Sequence, residues 1–67
     1  MTFQKALKDM RKERNITQAM LASWLGVTDA AIRSWENSGS QPNYEILCKI
    51  AKIFDVTVGQ LLGVEEY

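Results

Sequence analysis

Sixty-seven residues, 46% of them apolar, with eight basic and eight acidic side chains, describe one small folded domain rather than a disordered or fibrous chain. No apolar run is long enough to span a membrane, no signal-peptide pattern opens the chain, and a lone cysteine cannot close an internal disulfide, which together fit a reducing cytoplasm. With no histidine, one cysteine, scattered acids and no glycine-rich phosphate loop, the chain offers no metal cluster and no nucleophile-base pair, so neither an enzyme nor a bound cofactor is expected.

Thr2 can cap a first helix over residues 3–14. Phe3, Leu7 and Met10 recur at i, i+4 and i+7 and make its apolar stripe; Lys5, Lys8, Lys12 and Glu13 lie off it and Arg11 beside it. Asn15-Ile16 turns the chain. Thr17 opens a second helix from Gln18 to Leu25, with Leu21, Ala22 and Leu25 on one side. Gly26 stands where that helix must stop, at a position that favours positive φ. Thr28 opens a third helix to about Asn37. Its inner side is Ile32 and Trp35, anchored by Val27, and its outer side is Asp29, Ala30, Arg33, Ser34 and Asn37. Two helices joined in this way form a helix-turn-helix over about residues 18–37, whose second helix can lie in a DNA major groove.

Beyond a loop at residues 38–43, Asn43 can cap a fourth helix. Tyr44, Leu47, Cys48, Ala51 and Phe54 share a broad face that Ile46, Ile50 and Ile53 widen. Cys48, in mid-helix, reads as a small core residue. Asp55-Val56 breaks the pattern, and Thr57-Val58-Gly59-Gln60 matches a capping box. A short fifth helix over about residues 58–63 then presents Val58, Leu61 and Leu62, and Glu65-Glu66-Tyr67 is expected to fray. The expected fold is all-α, a compact bundle of five short helices around one core.

Two further features bear on partners. Met20 and Trp24 are four apart and stack on a face of the second helix away from Leu21 and Leu25. Either they form a contact patch for another protein or a second copy, or Trp24 folds back and completes the core. Charge is also uneven: residues 1–34 carry a net +3 and residues 35–67 a net −3. Such halves suit a molecule with one face toward phosphates, although the first helix could equally have a simple solvated basic face.

The order Ala22-xx-Leu25-Gly26-Val27-Thr28 and then Ile32-xx-Trp35-Glu36-Asn37 resembles the phage repressor and Cro family, also called the XRE family. Leu7-xxx-Arg11 before it, and Gln41-Pro42-Asn43-Tyr44-Glu45, Ile50-Ala51 and Val56-Thr57-Val58 after it, sit in the same register, so the likeness covers about residues 3 to 63. The resemblance implies a lambda-repressor-like bundle. It implies sequence-specific binding of double-stranded DNA by a transcriptional regulator of repressor type, acting as a homodimer on a two-fold symmetric operator. It also implies an Arg11–Glu36 ion pair beneath the recognition helix, fixing orientation more than adding stability.

Site residues follow from the same likeness. Thr17 and Gln18 start the second helix, where the resemblance implies a phosphate contact from Gln18; the plainer alternative is a glutamine facing water. From Thr28 onward, N-terminal residues of the third helix would meet base edges. Asp29 could accept from a cytosine amino group, although it also stabilises the helix start and would repel phosphates without a partner. Ala30 or Ala31 could touch a thymine methyl, and Arg33 could fork onto guanine or hold a phosphate. Ser34 and Asn37 could reach bases or backbone. Each could instead be solvated helix surface. Many relatives carry Gly-Lys-Arg where this chain has Ser38-Gly39-Ser40. Amides and the Ser38 and Ser40 hydroxyls could still hold phosphate, with a low salt slope. The end of the chain often forms the two-fold contact in phage repressors, which assigns Leu61 and Leu62, extended by Val64 and Tyr67, either to that contact or to closure of the core. Zero net charge, the neutral loop and the Met20–Trp24 pair would also suit a protein-interaction helix-turn-helix module, such as an antitoxin or antirepressor.

Overall fold

In a computed structural model that describes residues 2–64, five helices follow one another: α1 (Phe3–Glu13), α2 (Gln18–Leu25), α3 (Asp29–Asn37), α4 (Tyr44–Phe54) and α5 (Val58–Leu62). Each begins at a side chain that takes up an unpaired amide of the first turn. The oxygens of Thr2, Thr17, Thr28, Asn43 and Thr57 accept from the amides of Lys5, Met20, Ala31, Ile46 and Gln60. Each such cap stabilises its helix by about 1 kcal/mol. At Thr57 the box is reciprocal, because Gln60 Oε1 accepts from the Thr57 amide at 2.9 Å.

Two helices, α1 and α5, end a residue earlier than the sequence expectation, for local reasons. α1 stops at Glu13 because Asn15 turns to φ 56° and Arg14 leaves the helix for α4. Its Nη2 donates to the Phe54 carbonyl at 3.2 Å, and the guanidinium lies 5.3 Å from the Phe54 ring centre. A cation there also suits the negative end of α4. α5 stops at Leu62 because Gly63 adopts φ 81°.

Leu7, Leu21, Ile32, Ile50, Phe54 and Leu61 are fully buried, so every helix contributes to one core. Burial of each such side chain contributes about 1.5–3 kcal/mol. α1 packs on α3 and α5, α2 on α3 and α4, and α4 on α5. α3 is therefore held from two directions by α1 and α2. α4 buries Leu47, Ile50, Ala51 and Phe54, with Ile46, Ile53 and Cys48 half-buried. Tyr44 departs from the expected face: it is 71% exposed, being the first residue of α4 and lying past its packed part. Leu61 closes the core, Leu62 is half-buried and Val64 is exposed; Tyr67 lies outside the described residues. Among the described residues no helix is long and apolar enough to cross a membrane.

Candidate nucleic-acid interface

α3 owes its placement to its underside. Ile32 is fully buried and Trp35 is 8% exposed, while Glu36 is buried beside them. Three and four residues apart, these positions form one helix face. The opposite face leaves Asp29, Ala30, Arg33 and Asn37 exposed, with Ser34 half-buried at its edge. Ala31 departs from expectation: it is half-buried and packs against the core, since it lies four residues before Trp35, at the edge of the inward face. Of the two alanines, Ala30 is the one presented outward.

Glu36 anchors the arrangement. Arg11 donates to it with Nε at 2.7 Å and Nη2 at 2.9 Å, and its Nη1 donates to the Ile16 carbonyl at 2.9 Å. The carboxylate side chain is fully covered and that of Arg11 is 11% exposed. Burial acts to raise the Glu36 pKa. The hydrogen bonds from Arg11 and Gln18 and the nearby charges of Arg11 and Lys8 outweigh it and hold the pKa below the ordinary range. For Arg11, the hydrogen bond and charge of Glu36 outweigh burial and raise its pKa. This bidentate pair joins α1 to α3 across the core edge.

Gln18 is tied into the same cluster. Its Nε2 donates to Glu36 Oε1 at 3.2 Å, so it does not simply face water. The second N–H of that amide remains for an outside acceptor. Thr17 Oγ1 accepts from the Met20 amide at 3.0 Å, which leaves the Gln18 and Ala19 amides without a partner inside the helix. An open depression here is bordered by Lys12, Asn15, Thr17, Gln18, Ala19 and Asp29. It brings the starts of α2 and α3 to one surface, with a cation from α1 that the reading of the motif alone had not placed there. Thr28 is exposed and caps α3 through the Ala31 amide.

At the other end of α3, the Ser34 and Ser40 hydroxyls share a hydrogen bond of 2.6 Å, which fastens the loop to the helix. One of the two O–H groups is consumed by it, so the pair keeps a single donor for a phosphate. Ser38 is exposed, and its amide donates to the Ser34 carbonyl at 2.8 Å. Asn37 Oδ1 accepts from Lys8 Nζ at 3.4 Å, a contact between residues 29 apart in sequence. Met20 and Trp24 are 40% and 52% exposed, so Trp24 does not fold back to complete the core. Among the described residues no group of acids, cysteines or histidines is placed to hold a metal ion.

Residues 7–61 match the profile of the helix-turn-helix family. The chain is 42% identical over 66 residues to the transcriptional activator BcrR of Enterococcus faecalis, a match covering 98% of this chain and 32% of that protein. It is 36% identical over 56 residues to repressor protein C2 of Salmonella phage P22, covering 84% of this chain and 26% of that one. The crystal structure of the P22 c2 repressor with a synthetic operator superposes with a TM-score of 0.87 at 31% identity, over 97% of this chain and 98% of that chain. Hydroxypropylphosphonic acid epoxidase of S. wedmorenis is also similar (34% identity, TM-score 0.78), but through only 32% of its chain against 90% of this one. The chain spans a third to a half of the length of the first curated relatives it matches.

Proposed function

The chain belongs to the helix-turn-helix family, in its phage-repressor branch, and on that premise we propose that it binds double-stranded DNA sequence-specifically and regulates transcription. The outward line of α3 enters the major groove. Arg33 meets guanine or a phosphate, Ala30 contacts a thymine methyl, and Asp29, Ser34 and Asn37 take neighbouring base or backbone positions. The start of α2, with Thr17 and the free N–H of Gln18, holds one phosphate strand, aided by the positive end of the helix. Two copies bind a two-fold symmetric operator with their α3 helices about 34 Å apart, one DNA turn. Occupying promoter DNA represses transcription.

The observation that carries this reading is the split of α3 into a buried side, Ile32, Trp35 and Glu36, and an exposed side, Asp29, Ala30, Arg33 and Asn37. The test is a fluorescence titration against genomic fragments at low and moderate salt. One fragment bound well above bulk DNA supports the proposal, and equal binding to all fragments overturns sequence specificity.

The exposed Met20–Trp24 pair favours a second reading, a module whose main partner is another protein. Replacing Trp24 by Ser separates the two. DNA binding survives the change under the first reading, whereas loss of a protein complex with DNA binding absent supports the second.

A further inference from the structure

The surface around α3 is short of cations on one side. Between Arg33 and Lys49 the sequence has no basic residue, and Glu36 and Glu45 are its only charges. The loop that follows α3 is therefore neutral, yet a duplex docked on α3 lays phosphates along both flanks of the helix. The structure brings one cation to that flank from elsewhere. Lys8, on α1, reaches the exposed carboxamide of Asn37 at the end of the outward line of α3, with Nζ 3.4 Å from Oδ1. One turn earlier on α1, Gln4 lies against the loop: its Nε2 would be 3.7 Å from a Cβ placed on Gly39. The same stretch of α1 thus borders both the last turn of α3 and the neutral loop.

Resting on the DNA-binding reading above, we infer that Lys8, outside the helix-turn-helix, is the phosphate contact on the C-terminal flank of α3. An ammonium has three donors and no acceptor, so after the bond to Asn37 two N–H groups remain for phosphate oxygens. Lys5 makes a natural comparison: it sits on the same helix, but its ammonium pairs with Asp9 at 3.2 Å, and Asp9 borders the cleft beside Phe54 and Asp55.

The test is the salt dependence of binding to a labelled duplex of mixed sequence, measured for the full chain and for Lys8→Ala, Lys8→Arg and Lys5→Ala, each checked for folding by circular dichroism. One neutralised phosphate contributes about 0.9 to the slope of log K against log salt. Between about 50 and 200 mM salt the unaltered chain should therefore lose about 3.5-fold more affinity than Lys8→Ala. Lys8→Arg should restore the slope, and Lys5→Ala should keep it. A slope unchanged in Lys8→Ala, or lowered equally in Lys5→Ala, overturns the assignment while leaving the DNA reading intact. Failure of the unaltered chain to bind the duplex at low salt overturns both.

Discussion

Replacing Glu36 by Gln removes a charge that three donors share while altering volume very little. The carboxylate receives Arg11 Nε, Arg11 Nη2 and Gln18 Nε2, at 2.7, 2.9 and 3.2 Å. An amide in its place can accept with one atom only, and its NH2 then faces a donor from Arg11 or from Gln18. Arg11 keeps the Ile16 carbonyl but loses its counter-charge. Breaking a buried pair from one side destabilises by about 3–5 kcal/mol. Arg11 retains 11% exposure of its side chain, which lets water soften the loss and puts the expectation near the low end, about 3 kcal/mol. For a domain of this size that is a shift in Tm of about 12–24 °C. Urea and thermal unfolding followed by circular dichroism at neutral pH measure it. The same carboxylate governs an acid limb. Its folded pKa lies below the unfolded value, so its contribution is complete above about pH 4.5, the ordinary carboxylate value, and disappears as pH falls through the folded pKa. Stability of the unaltered domain should therefore drop more steeply than that of Glu36→Gln as pH falls below about 4.5. A variant within about 0.5 kcal/mol of the parent, with parallel acid limbs, would refute the role given to this pair.

Three other outcomes follow from the same geometry. Arg33→Ala should weaken binding to the preferred fragment by about 1–3 kcal/mol, read by titration, with stability changed by no more than about 0.5 kcal/mol because the side chain is exposed. Iodide should quench the emission of Trp24, 52% exposed, and spare that of Trp35, 8% exposed, in single-tryptophan variants made with Phe at the other site. Gly26→Ala should cost about 1 kcal/mol in urea unfolding, all of it from the backbone, because φ is +72° and a Cβ would meet nothing within 4 Å.

Local chemistry made the helices readable. Four threonines and an asparagine mark the five starts, and each accepts from the amide three residues on, in the first turn, as the sequence pattern implies. Helical spacing likewise put Ile32 and Trp35 inward and Ala30 and Arg33 outward, since neighbours on a helix face are fixed by its period. What the pattern could not reveal depends on residues far apart in sequence. Periodicity gives the angle of Trp24 around α2 but not how far another element covers it; in the fold it stays 52% exposed. Gln18 could be placed at a helix start, but its bond to Glu36, 18 residues on, needed the packed fold. The basic residues of α1 had no fixed direction until Lys8 was found at Asn37 and Lys12 beside the start of α2. Ala31 was ambiguous because it lies at the boundary of the two faces, where a small tilt of α3 decides its burial.

Amide chemical shifts of isotopically labelled protein, followed by NMR as the preferred genomic fragment is added, test most directly whether the exposed side of α3 is the DNA-reading surface. The largest changes should fall on Asp29, Ala30, Arg33 and Asn37, with a second group at Thr17 and Gln18. Changes gathered at Met20 and Trp24, or on α4 and α5 with α3 silent, would contradict it.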